Sequence, residues 1–96
     1  MIAMNVNGAY NPGVKVTITA AAREGFVRLP RVMQARVLLL FERLRRWPNV
    51  SGVRPLTGRP AGRYRLRTGD YRLQFRVRGA IVTVEKIGHR DRFYED

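Results

Sequence analysis

Met33, Val37, Leu40, Leu44 and Trp47 fall at i, i+4, i+7, i+11 and i+14. That spacing is one continuous apolar seam and predicts a helix over about Pro30 to Trp47. Arg36, Arg43 and Arg46 lie mostly off the seam, and Pro48 stops the helix. Upstream, Val14, Val16 and Ile18 alternate with Lys15 and Thr17, the pattern of a short strand. Thr19 suits the N-cap of a first helix over Ala20 to Arg28, whose apolar stripe is Ala22, Phe26 and Leu29. Gly25 weakens that helix, because glycine is a poor helix former. Pro30 ends it and suits the first turn of the next, so the two helices form a hairpin.

Beyond a Pro/Gly loop over Asn49 to Ala61, the period changes to two. Tyr64 and Leu66 alternate with Arg63, Arg65 and Arg67; Tyr71, Leu73, Phe75 and Val77 alternate with Arg72, Gln74, Arg76 and Arg78. The turn falls at Thr68-Gly69-Asp70. Successive side chains of a strand point to opposite faces, so this hairpin has one apolar face and one carrying up to six arginines. Ala80 to Ile87 is apolar on both faces (Ile81, Val82, Val84), which suits a central strand. The predicted order is β-α-α-β-β-β, an α+β fold with a helical hairpin packed on one face of a small antiparallel sheet. Residues 1–96 read as a single domain, and Met1 to Gly13, which has no period, reads as a loose N-terminal arm.

Charge sharpens this picture. The 96 residues carry a formal net charge of +12, with 17 arginines and 2 lysines. From Arg54 to Arg78 there are eight arginines against one acid, Asp70. So concentrated a positive face repels itself unless an anion sits on it, and a polyanion is the expected partner. The guanidinium fork suits bidentate phosphate recognition. A GC-rich coding sequence also favours arginine over lysine, but it explains neither the charge excess nor its clustering. With no cysteine, disulfides, thiolate chemistry and a zinc-finger origin for the charge are excluded. The start has no basic-then-apolar leader pattern, and the longest apolar run, Val37 to Phe41, is far too short to span a membrane. The cytoplasm is the expected compartment.

Arg65 and Arg67 share a face, and the turn brings Arg72 onto the same face of the neighbouring strand. Three guanidiniums then lie within reach of one phosphate or of two adjacent ones. They can stabilise a phosphoryl-transfer transition state, or simply bind phosphate or face solvent. Arg63, Arg76 and Arg78 extend that face as RNA-binding candidates. His89, the only histidine, is the side chain whose ordinary pKa suits proton transfer near neutrality, though a histidine in a charged tail is also an ordinary surface residue. Tyr94 can donate, accept or stack on a base, or simply cover the sheet edge. Glu85 reads as a counter-charge for nearby arginines. The sequence has no paired carboxylates, no metal-ligand cluster and no phosphate-cradling glycine loop, and no cofactor is expected.

Three segments together carry a family pattern: Val53-Arg54-Pro55-Leu56-Thr57-Gly58; Tyr64-Arg65-Leu66-Arg67-Thr68-Gly69-Asp70-Tyr71-Arg72-Leu73; and Val84-Glu85-Lys86-Ile87-Gly88-His89-Arg90 followed by Tyr94. Over about Val14 to Tyr94 the chain resembles the RelE/ParE toxin superfamily of type II toxin–antitoxin systems. The resemblance implies two helices on a curved antiparallel sheet. The Gly-His-Arg…Tyr ending resembles the RelE-like branch, whose members cleave mRNA in the ribosomal A site. By position, the implied site residues are Arg65, Arg67, Arg72, Arg90 and Tyr94. The implied chemistry is metal-independent attack of an RNA 2′-OH on the adjacent phosphate, giving a 2′,3′-cyclic phosphate and a 5′-OH. A cognate antitoxin, forming a hetero-oligomer with the toxin, and the ribosome with its mRNA are the implied partners; no membrane is.

The chain departs from the pattern in two respects. Some members carry lysines where Arg65 and Arg67 stand, and arginine effectively cannot serve as a base. Proton transfer would then fall to His89, Tyr94 or a ribosomal group. Members with the His-Arg ending often place an acidic residue where this chain has Arg92. The alternatives are a ParE-like inhibitor of DNA gyrase without nuclease activity, and a basic nucleic-acid-binding domain with no activity.

Overall fold

A computed structural model describes residues 13–57 and 62–91. Its elements run β1 (Lys15–Ile18), α1 (Ala20–Val27), α2 (Arg31–Leu44), β2 (Arg54–Pro55), β3 (Arg63–Thr68), β4 (Tyr71–Arg78) and β5 (Ile81–His89). The strands form one sheet in the order β1-β5-β4-β3-β2. The two helices pack on one of its faces, the α+β architecture expected from the sequence.

Two features of the sheet differ from that expectation. It is mixed rather than antiparallel, because β1 runs parallel to β5, with Val16 opposite Val82 and Ile18 opposite Val84. It also has a fifth strand: Arg54 and Pro55 pair antiparallel with Arg65 and Tyr64. A two-residue strand shows no period in sequence, and an edge position tolerates a proline that has no N–H to donate. The central placement of β5, between β1 and β4, is as its apolar run predicted.

The α2 seam lies where the spacing placed it. Val37, Leu40 and Leu44 are buried against Leu66, Leu73, Phe75, Val82, Val84 and Ile87, with Met33 and Trp47 partly buried at the margin. The helix proper ends at Leu44. Beyond it the chain tightens into i→i−3 bonds, from Arg46 N–H to Arg43 O and from Trp47 N–H to Leu44 O, both 3.0 Å. This brings the Trp47 ring to 4.8 Å from Tyr64 and 5.5 Å from Phe75, centroid to centroid.

α1 is fastened to the middle of β5. Thr19 caps it by accepting the Ala22 N–H at 3.1 Å, as the sequence predicted. The same hydroxyl donates to the carbonyl of Glu85 at 3.1 Å, and the Thr19 N–H donates to Val84 O at 3.0 Å. Gly25, which costs helix propensity, is needed here: a Cβ at this position would lie 2.1 Å from the Ile87 carbonyl oxygen. The helix crosses β5 so closely that only glycine fits.

Candidate functional site

The site is the sheet face that the helices leave open. Gly69, at φ +58°, makes the tight turn between β3 and β4. The resulting register sets Arg67 opposite Arg72, Arg65 opposite Gln74 and Arg63 opposite Arg76. Leu66, Leu73 and Phe75 point the other way and are buried. Every side chain named in the first set therefore lies on the open face. β2 adds Arg54, directly opposite Arg65.

β5 completes this face through an irregularity. Gln74 pairs with Lys86 and Phe75 with Val84, so Glu85 is an extra, unpaired residue, a β-bulge. Val84 and Ile87 are both buried although three residues apart, which strict alternation forbids. The extra residue resolves the conflict by placing Glu85 and Lys86 side by side on the open face. Lys86 and Arg54, which the sequence analysis did not single out as site residues, thus join Arg65 and Gln74 in one row. Only pairing across strands reveals this, because the bulge leaves no periodic signal.

Glu85 lies amid the arginines as the sequence suggested. Its carboxylate lies 3.1 Å from Arg63 Nε and 3.3 Å from Arg76 Nη1. It also accepts hydrogen bonds from Arg63 Nη2 at 3.3 Å and Gln74 Nε2 at 3.2 Å. The Glu85 side chain is only 15% exposed. Two of the predicted RNA-binding arginines are therefore engaged with an internal anion. The third, Arg78, is exposed beside the β4–β5 turn, opposite Ile81. It is six residues along β4 from Arg72, or about 20 Å at roughly 3.4 Å per residue.

At the other end of the face the predicted residues converge. Arg67 and Arg72 are opposed, and Gly88 stands next to Arg72 on β5 with no side chain to cover the floor. Arg90 closes this end: its N–H donates to Asp70 O at 2.8 Å, tying the end of β5 to the hairpin turn. Its Nε lies 3.9 Å from Asp70 Oδ1 and 3.6 Å from Asp91 Oδ1, in an exposed arrangement that leaves the guanidinium accessible. Arg72 and Arg67 thus share a row with Gly88, Arg65 and Lys86 lie in the neighbouring row, and Arg90 follows two residues beyond Gly88. Preorganised cations of this kind bind phosphate oxygens and stabilise charge that develops on them.

His89 is not brought to them. It pairs with Tyr71, whose side is that of the buried Leu73, and the two rings meet edge to face at 5.1 Å. Its Nδ1 accepts the Asp91 N–H at 3.1 Å and lies 3.5 Å from Asp91 Oδ2. Tyr94 and Arg92 lie outside the described residues, as does most of the predicted N-terminal arm. Among the described residues, no helix is long and apolar enough to cross a membrane.

No protein-family model matches the chain, and no curated protein does. Solved structures do. The chain is similar to one in the RelBE2 toxin–antitoxin complex of Mycobacterium tuberculosis, at 30% identity and a TM-score of 0.70, over 80% of this chain and 98% of that one. It is similar to one in the archaeal RelE–RelB complex of Pyrococcus horikoshii OT3, at 25% identity and a TM-score of 0.68, over 83% and 98%. The isolated RelE toxin of E. coli shares the fold, at 18% identity and a TM-score of 0.66, over 77% and 81%. A helical hairpin packed on one face of a small mixed sheet is thus the fold of the RelE-like toxins of toxin–antitoxin systems. Within that class, the chain belongs to the RelE family.

Proposed function

We propose that this chain is the toxin of a type II toxin–antitoxin pair and acts as a ribosome-dependent endoribonuclease on mRNA. The observation that carries the reading is the alignment of Arg65, Arg67, Arg72 and Lys86 in two adjacent rows across three strands, at the end of the sheet face where Arg90 follows Gly88. An RNA phosphate seated there would meet cationic donors from three strands. The 2′-OH attacks the adjacent phosphorus as its proton passes to a base, and the bond to the 5′ oxygen breaks as that oxygen takes up a proton from a general acid or from water. The products are a 2′,3′-cyclic phosphate and a 5′-OH. In this reading the arginines stabilise the phosphorane oxygens, and Arg90 and Lys86 stabilise the leaving oxygen. His89 lies on the other side of β5, so the base is sought in Tyr94 or in a ribosomal group.

The partner is an antitoxin that covers this domain and neutralises it, which suits both the net charge of +12 and the antitoxin-bound relatives. The chain acts as a single domain in the cytoplasm, where translating ribosomes are found. Inducing it without the antitoxin, and mapping mRNA ends on translating ribosomes, tests the reading. Cuts within codons are expected, and Arg72→Ala or Arg90→Ala should abolish them. Intact mRNA accompanied by DNA-damage signalling would replace this reading with gyrase inhibition.

A further inference from the structure

Arg63 and Arg76 stand directly opposite each other on β3 and β4. Like charges so placed destabilise a sheet. Glu85 answers both at once, with its oxygens 3.1 and 3.3 Å from their nitrogens and Gln74 donating a further bond at 3.2 Å. The Glu85 side chain is 15% exposed, and those of Arg63 and Arg76 are partly buried, at 30% and 34%. Alternation from the buried Val82 and Val84 puts this carboxylate on the open face, and Glu85 is also the bulge residue of β5. The bulge is itself pinned from the helical side, where Thr19 donates to the Glu85 carbonyl. The anion is therefore built into the scaffold and held by the N-cap of α1.

We propose that Glu85 is a positioning residue: it occupies the guanidiniums of Arg63 and Arg76, withholds them from RNA, and confines phosphate recognition to the Gly88 end of the face. The inference rests on the RNA-binding reading above. It assigns to an internal carboxylate the choice of which arginines meet the backbone. Without that choice, RNA could slide along a row of guanidiniums from Arg67 towards Arg78, and no single phosphate would be held over Gly88.

The native protein allows a direct test. Its arginines are modified with an arginine-reactive dicarbonyl, with and without a short single-stranded RNA at low salt, and the sites are read by mass spectrometry. RNA should protect Arg67, Arg72 and Arg90 but leave the reactivity of Arg63 and Arg76 unchanged. Protection of Arg63 or Arg76 by RNA would overturn the proposal. A second measurement uses Glu85→Gln, which keeps the shape and removes the charge. Its binding to the same RNA should become more salt-dependent, the slope of log K against log salt steepening by about 0.7 for each guanidinium released. Arg63→Ala in the Glu85→Gln background should take part of that increment away. Glu42→Gln, which adds the same charge on α2, should not produce it. An unchanged slope in folded Glu85→Gln, or an equal rise in Glu42→Gln, counts against the clamp. Both measurements read RNA contacts without cleavage, so a failure of the nuclease reading, seen as intact mRNA on ribosomes, is recorded separately.

Discussion

Tyr71 and His89 face each other across β4 and β5, with their rings nearly perpendicular and 5.1 Å apart. The pair lies on the helix side of the sheet, while Arg72, one residue from Tyr71, lies on the other. His89→Ala should therefore cost stability before it costs chemistry. The lost edge-to-face contact is worth about 1 kcal/mol. A fall of roughly 4–8 °C in melting temperature is expected for a domain of this size. Ribosomal cleavage by His89→Ala should fall less than that by Arg72→Ala; an equal loss would return His89 to the site.

Arg67 and Arg72 are opposed like charges on an open face. Their removal should separate activity from stability. Arg72→Ala should lower the cleavage rate by about 100-fold or more, the effect of deleting one preorganised donor to a developing oxyanion. Its melting temperature should be unchanged or slightly raised, because the repulsion across β3 and β4 is relieved. Single-turnover cleavage on programmed ribosomes and a thermal melt together check both halves.

Gly25 is the point at which α1 touches β5. Gly25→Ala should improve helix propensity by about 1 kcal/mol and still destabilise the protein. Its Cβ would lie 2.1 Å from the Ile87 carbonyl oxygen. Overpacking of that kind costs about 1–3 kcal/mol or more. Urea denaturation gives the sign directly.

Thr19 couples the helix cap to the bulge. Thr19→Val removes the acceptor for the Ala22 N–H and the donor to the Glu85 carbonyl together. About 1–2 kcal/mol of stability should be lost, at the upper end for an N-cap. Hydrogen exchange of the Ala22 amide should accelerate more than that of amides in α2.

Much of this architecture is legible locally. The seam from Met33 to Trp47 needs only the 3.6-residue period, and the arginine face of the hairpin needs only alternation about the Gly69 turn. These patterns dictate two helices, a hairpin with one basic face, and a strand between neighbours, because each follows from residues close in the chain. The family resemblance was likewise carried by short segments, and the RelE fold it implied is the one observed.

Other features depend on which strands meet. Alternation continued from Val82 and Val84 would put Lys86 in the core and Ile87 outside. The bulge at Glu85 reverses that, and it exists only in the pairing of β5 with β4. The parallel placement of β1 and the two-residue β2 likewise arise from long-range hydrogen bonds. Sequence alone determined the two helices, the four longer strands, the basic face and the excess charge, since these are properties of composition and period. Tertiary structure alone decided that Lys86 joins the face, that His89 leaves it, and that Arg63 and Arg76 are held by Glu85. Those outcomes depend on register, and a shift of one residue carries a side chain to the opposite face of the sheet.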